Sequence, residues 1–216
     1  MNRPPLALTS DGPALVLLRH GDTEWALAGR HTGRTDVPLT ADGEAQAEAA
    51  GRRLAGLTPR AVHVSPLVRA RRTAELAGFG TAVVDDDLAE WDYGPVEGRT
   101  SAEVADATGR PYEIFRDGVQ VLPVPDGGSA GETLADVRAR TERFLARVRP
   151  TLDDAGPVLV VAHGHLLRVL ATAWLAVEPT FGAHLELGCA AISVLGTSHD
   201  LPTIDVEPGG PLTGGR

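Results

Sequence analysis

Apolar and polar positions follow two rhythms along this chain, and the switches between them mark out its elements. Residues 14–19 hold an unbroken aliphatic run, Leu15-Val16-Leu17-Leu18, that ends in charge. Such a run reads as a strand covered on both faces. Ala61-Val62-His63-Val64 and Val158-Leu159-Val160-Val161-Ala162 read the same way, and Ala82-Val83-Val84 and the segment 189–195 read as further strands. Between them the period lengthens. Thr40 can cap a helix over 41–55, with Asp42 and Glu44 in its first turn to suit the dipole. Leu134, Val137, Thr141, Phe144, Leu145 and Val148 recur at helical spacing within 132–148, and the arginines fall between them. Two more helices are predicted. One starts at Pro66, at the first helical position where its missing N–H is harmless, and runs to about Ala77; the other follows His163-Gly164-His165 to about Val177. Strand alternating with helix predicts an α/β fold, a three-layer α/β/α sandwich on a mostly parallel sheet.

The remaining stretches lack either rhythm. Residues 1–13 hold three prolines and read as a loose arm; from Glu207 onward Pro and Gly dominate, and the tail 207–216 reads as disordered. The loop 20–40 is long for a compact domain and keeps Trp25, His31, Gly33 and Arg34, so it is expected to be functional. Residues 85–131 are rich in Gly, Pro and Asp, with short helices expected over 101–107 and 111–116. They read as an insertion over the sheet edge of one domain spanning 14–206.

Composition narrows the chemistry. The 216 residues carry a formal charge of −9, and a phosphate-contacting nucleic-acid binder needs a basic surface. No nucleic acid is therefore expected as a partner. All 20 basic residues are arginine and none is lysine. A P-loop of the usual form and a Schiff-base enzyme both need lysine, so both are excluded. The single cysteine, Cys189, forbids an intrachain disulfide and reads as a small strand-core residue. No apolar run reaches the roughly 18 residues of a membrane span, and the N-terminus lacks a signal-peptide pattern. A cytoplasmic location follows as an expectation.

Two strands end in reactive side chains: the first in Arg19-His20-Gly21, the fourth in His163-Gly164-His165. Parallel strands bring their C-terminal ends to one edge, so His20 and His163 can meet there. The helix from Pro66 presents Arg69 in its first turn, and its N-terminus offers N–H groups to an anion. A guanidinium fork beside a neutral imidazole suits chemistry on a phosphate. Leu88-Ala89-Glu90-Trp91-Asp92-Tyr93-Gly94 adds a carboxylate among aromatic rings, a setting that raises an acid's pKa toward neutrality. His163-Gly164-His165 lacks further ligands at metal-site spacing, so no metal is expected. His63 reads as a satisfied core histidine, His165 as a packing residue, Arg71 and Arg72 as solvated charges; His184 and His199 have no evident role.

Together these residues resemble the histidine phosphatase superfamily, with its phosphoglycerate mutase-like fold. The pieces are Leu18-Arg19-His20-Gly21-Asp22-Thr23, Thr32-Gly33-Arg34-Thr35-Asp36-Val37-Pro38-Leu39-Thr40, Ser65-Pro66-Leu67-Val68-Arg69-Ala70, Glu90 through Gly98, and Ala162-His163-Gly164-His165, in family order over residues 14 to 196. Asp22 departs from the commoner Glu. The resemblance implies a phosphohistidine on His20, with Arg19, Arg69 and His163 around the phosphoryl group and Glu90 as proton donor. It implies no cofactor and a small phosphorylated metabolite as partner. The fold often pairs, so a homodimer is a candidate assembly.

Within the superfamily the segments Ala89 to Gly94, Ile114 to Gly118 and Ala162 to Arg168 resemble the sugar-phosphate and broad-specificity acid phosphatase branch, including the sedoheptulose-bisphosphatase type. That branch implies substrate contacts from His31, Thr32, Gly33, Trp91, Tyr93, Gly164 and Arg168. Cofactor-dependent phosphoglycerate mutases, the main alternative, carry Asn after the first-motif Trp and Lys after the Tyr-Gly segment. Here Ala26 and Arg99-Thr100-Ser101 stand in those places, which favours hydrolysis. An inactive phosphate-binding regulatory module is the other alternative.

Overall fold

The computed structural model describes residues 14–152 and 156–206. The expected arm 1–13 and tail 207–216 lie outside them. Six strands form one sheet in the order β3-β2-β4-β1-β5-β6. They are β1 (Leu15–Arg19), β2 (Ala61–Val64), β3 (Val83–Val84), β4 (Val158–Ala162), β5 (Ile192–Ser198) and β6 (Leu201–Val206). The first four run parallel, while β5 pairs antiparallel with β1 and β6 antiparallel with β5.

Alternate residues of β1 face opposite layers, as the pleat demands. Leu15 and Leu17 enter the larger apolar core, which includes residues of helices α6 (Leu134–Val148) and α7 (Gly164–Leu175). Val16 and Leu18 enter a smaller core built with α2 (Ala41–Leu54) and α3 (Val68–Leu76). Helices α4 (Ser101–Thr108) and α5 (Ile114–Asp117) belong to the segment after β3, and Val104, Ile114 and Phe115 pin that segment to the larger core. Among the described residues no helix is long and apolar enough to cross a membrane.

Four local expectations need correction. The loop 20–40 contains a short helix, α1 (Glu24–Leu27), whose Thr23 hydroxyl caps Ala26 N–H. Pro66 precedes its helix instead of opening it. Leu67 is the N-cap, with no side-chain bond of its own, and the Asp36 carboxylate takes the Val68 N–H at 2.8 Å. The strand expected over 189–195 begins only at Ile192. Ala190 stands at φ 53°, in the left-handed region, so Cys189 and Ala190 form a turn and Cys189 is half-buried. Strand β6 was not expected at all; its Pro202 and Asp205 break the apolar pattern of an edge strand.

Candidate active site

Strand register assembles the centre. Arg19 of β1 pairs with Ala162 of β4, and Val64 of β2 with Val161. One residue further on, His20 N–H donates to the Ala162 carbonyl and Ser65 N–H to the Val161 carbonyl. His20, His163 and Ser65 therefore leave three adjacent strand ends together. The His20 and His163 ring centroids lie 5.2 Å apart.

Hydrogen bonds fix both tautomers. His20 Nδ1 lies 2.7 Å from the Gly21 carbonyl oxygen. A carbonyl only accepts, so Nδ1 carries the hydrogen and the lone pair stands on Nε2. His163 Nδ1 accepts from Arg69 Nε–H at 3.2 Å, so its hydrogen is on Nε2, 2.6 Å from Ser65 Oγ. Burial pushes the His20 pKa well below its ordinary value, and the Arg19 and Arg69 charges push it further. His163 is lowered well below as well, by burial first and then by Arg69. Both shifts favour the neutral ring.

The two arginines are spent differently. Arg69 is fully buried, and its fork donates to the carbonyls of Thr32 at 2.9 Å, Gly33 at 2.9 Å and Thr35 at 3.1 Å. It staples the loop 32–35 to the strand ends. Arg19 Nη1 donates to the Leu187 carbonyl at 2.6 Å, but its buried Nε has no partner. A buried donor without an acceptor is costly. Gly164 lets this guanidinium lie close, since a Cβ there would sit 3.2 Å from Arg19 Cζ.

Glu90 occupies the N-terminus of α7. Its Oε1 accepts from Leu166 and Trp91 N–H, both at 2.9 Å, and its Oε2 accepts from His165 N–H at 3.2 Å. The helix end expected to greet an anion, that of α3, is taken by Asp36; the end of α7 is the one that reaches the reactive edge.

A cavity of about 340 Å³ opens over these groups. Arg19, His20, Glu90, Gly164, His31, Thr32, Tyr93 and Arg168 line it, joined by His165. Arg69, His163, Gly33 and Trp91 do not line it. Arg69 and His163 stand behind His20; Gly33 is tied by its N–H to Glu97 and by its carbonyl to Arg69, and Trp91 is wholly buried with its indole N–H on the Glu132 carbonyl at 2.7 Å. His31 packs 5.1 Å from the Tyr93 ring, and burial lowers its pKa to about 4. Tyr93 Oη meets His165 Nδ1 at 2.5 Å, so His165 is part of the cavity wall and its polar network. Arg168 Nε donates to the Gly182 carbonyl, and its guanidinium stacks 4.5 Å over the Phe115 ring.

Sequence reading missed several members of this assembly. Ser101, Tyr112 and Glu113, from the insertion, form the outer wall. Glu97 accepts from Gly33 and Thr35 N–H and holds the loop from its other side. His63 was read as satisfied, yet its Nδ1 has no partner, and its ring meets Phe144 edge-on at 5.4 Å. Among the described residues no group of three or more His, Cys, Asp or Glu is placed to hold a metal ion.

The fold is a doubly covered α/β sheet with a pair of histidines at the C-terminal ends of its parallel strands. The chain belongs to the histidine phosphatase superfamily (branch 1), whose family model matches residues 15–207. It is 36% identical to an acid phosphatase of Mycobacterium tuberculosis, over 89% of this chain and 90% of that protein. It is 33% identical to sedoheptulose 1,7-bisphosphatase of Saccharomyces cerevisiae, over 83% and 72%. A 2,3-bisphosphoglycerate-dependent phosphoglycerate mutase of Cytophaga hutchinsonii is also 33% identical, over 83% and 85%. The solved structure of a Mycobacterium tuberculosis open reading frame superposes with a TM-score of 0.80 at 36% identity, covering 90% of this chain and 96% of that one.

Proposed function

We propose that this protein is a metal-independent phosphomonoesterase that hydrolyses a small phosphorylated metabolite, a sugar phosphate or bisphosphate or a range of such esters, through a phosphohistidine on His20. One observation carries the reading. The side chains of His20, Arg19 and Glu90 line a single cavity, and the contact of His20 Nδ1 to the Gly21 carbonyl leaves the ring's Nε2 lone pair free. Its size suits a small metabolite.

The reaction has two halves. In the first, His20 Nε2 bonds to phosphorus while the ester P–O bond breaks, and the leaving oxygen takes the proton of Glu90 and departs as an alcohol. In the second, Glu90, now a carboxylate, takes a proton from water as the water oxygen bonds to phosphorus. The N–P bond breaks, inorganic phosphate leaves, and both groups are restored. Arg19 supplies donors to the equatorial oxygens, where charge accumulates. Arg69 holds the floor under them. Arg168, at the far wall, is available to a second phosphate or a carboxylate of the substrate.

The mutase alternative draws on the mutase relative, but Ala26 stands on the cavity wall where the mutase pattern carries Asn. A mutase must retain a doubly phosphorylated intermediate, and the Asn and Lys that the mutase pattern carries are not at the corresponding places of this chain. The test is a screen of sugar mono- and bisphosphates, phosphoglycerates and a glycosylated phosphoglycerate, ranked by kcat/KM with phosphate and isomer both measured. Prompt phosphate release without isomer is expected, unchanged by a chelator. Isomer formation turns the assignment to a mutase, and a chelator-induced loss restored by a divalent ion brings back a metal. No turnover of 4-nitrophenyl phosphate from acid to neutral pH leaves only a binding module.

A further inference from the structure

Helix α6 supplies nothing to the cavity wall, yet it grips the segment that carries Glu90. Arg140, Arg143 and Arg147 are spaced so as to share one helix face. Arg143 and Arg147, themselves exposed, reach the half-buried carboxylates of Asp85 and Asp87. Arg140 differs from them in being buried, with 4% of its surface exposed. Its Nε and Nη2 form a fork on the Glu132 carboxylate at 2.8 and 3.1 Å. Its Nη1 donates to two main-chain carbonyls, Asp87 at 2.8 Å and Ala89 at 2.6 Å.

Glu132 grips the far side of the same segment. Its Oε2 accepts from Asp92 N–H at 2.9 Å, its carbonyl from the Trp91 indole, and its own N–H donates to the Asp92 carbonyl at 2.9 Å. Residues 89, 91 and 92 are thus tied to the pair, and the side chain of residue 90 between them is tied to α7. A buried ion pair adds little net stability, since both ions leave water. Two apolar side chains would pack α6 against the sheet as well. They would not donate to two carbonyls on the approach to position 90, which is what Arg140 does with donors to spare.

We infer that Arg140, acting with Glu132, is a positioning residue for Glu90: it fixes the main chain on both sides of the carboxyl group and so sets that group's reach to the leaving oxygen over His20. The inference rests on the reading of Glu90 as proton donor. It makes a demand that a merely structural role does not. Loosening Arg140 must hurt esters that need a proton on the leaving oxygen and spare those that do not.

The experiment compares kcat/KM for glycerol phosphate and for 4-nitrophenyl phosphate in wild type, Arg140→Met, Arg140→Lys, Glu90→Gln and Glu90→Gln/Arg140→Met. The ratio kcat/KM is the right readout because it ends at phosphoryl transfer to the enzyme, where the leaving group departs. Misplacement of the carboxyl group by an ångström is expected to cost roughly 10- to 100-fold on the alkyl ester and under about 3-fold on the aryl ester. Arg140→Lys keeps a charge beside Glu132 but lacks the fork, so it should show the same selectivity; it also serves if Arg140→Met fails to fold. Adding Arg140→Met to Glu90→Gln, or Arg140→Lys in its place where the Met variant does not fold, should cost nothing further on the alkyl ester. Equal losses on the two esters, or full additivity with Glu90→Gln, overturn the inference. Equal losses in Glu90→Gln itself overturn instead the reading of Glu90 on which it rests.

Discussion

The two sides of the cavity are built by opposite means. On the His20 side, secondary structure does most of the positioning. Three parallel strands end in register, and the Gly21 carbonyl orients the His20 ring, while the Ser65 hydroxyl and the Arg69 Nε–H orient His163. On the Glu90 side no regular element carries the functional group. The segment between β3 and α4 has only two 3-10 turns, Asp86–Leu88 and Gly94–Val96, and Glu90 lies between them. It is held instead by contacts distant in sequence, from the α7 N-terminus and from Arg140 and Glu132. A nucleophile on strand ends is placed by the same ladder that makes the fold. An acid on an irregular segment is placed by side chains that a single mutation removes.

The largest effect should come from the strand side. His20→Ala is expected to lower turnover by about 10⁴-fold or more and to abolish labelling of the protein by a radioactive phosphate ester. Because the ring fills a slot in an intact sheet edge, the variant should keep its far-UV dichroism. Labelling that persists in this variant means that another residue is the nucleophile. The next effect belongs to the other side. Glu90→Gln keeps the size of the side chain and removes the proton, so kcat/KM for alkyl phosphates should fall about 10³-fold and for 4-nitrophenyl phosphate about 10-fold. A uniform loss contradicts the division of labour between the two sides.

Legibility followed the same line. Arg19-His20-Gly21 and His163-Gly164-His165 each close an apolar run, and a strand's end is visible in sequence because hydrophobic periodicity stops there. Glu90 was recognisable through its aromatic neighbours, but not the helix end it caps, because capping by a distant residue leaves no local mark. Asp36 on α3 escaped for the same reason. Arg140 did leave a trace: it stands three residues after Val137 and four before Phe144, on the buried stripe of α6 itself. A charged residue at such a position needs a buried partner. The β5 boundary misled because Cys189-Ala190-Ala191 is apolar enough for a strand, and nothing in it announces the left-handed turn at Ala190. Strand β6 hid behind a proline that an edge strand tolerates.

A smaller effect probes how Arg19 sits between the two sides. Its guanidinium passes under Gly164, the first residue of α7, whose following N–H groups hold Glu90. Gly164→Ala places a methyl group 3.2 Å from Arg19 Cζ. The backbone conformation there is helical, so the change carries no strain of its own and the guanidinium must give way. Inhibition by inorganic phosphate should weaken by about 10-fold, in the range of one displaced charge-assisted hydrogen bond. The kcat/KM ratio between alkyl and aryl esters should stay near that of wild type, because Glu90 keeps its donors. A change in that ratio means that α7, and with it the acid, has moved as well.

The smallest effect is read in stability, at the seam between the two sides. His31 hydrogen-bonds through its main chain to Gly98 and Arg99 and packs its ring on Tyr93, so it ties the nucleophile's loop to the acid's segment. Burial lowers its pKa to about 4, below the ordinary 6.5, so the unfolded chain takes up a proton here that the folded one refuses. Stability therefore falls as pH drops from 6.5, and the loss levels off below about 4. Between pH 7 and pH 5 this one ring should cost about 2 kcal/mol. Burial lowers His20, His163 and His165 in the same direction, so the whole protein must weaken in acid. The share of His31 is isolated by difference, with urea unfolding of wild type and His31→Gln at the two pH values. The variant should lose about 2 kcal/mol less than wild type. Identical losses mean that the seam opens to water at pH 5 and lets His31 charge without unfolding. The two sides of the cavity are then joined less firmly than either is built.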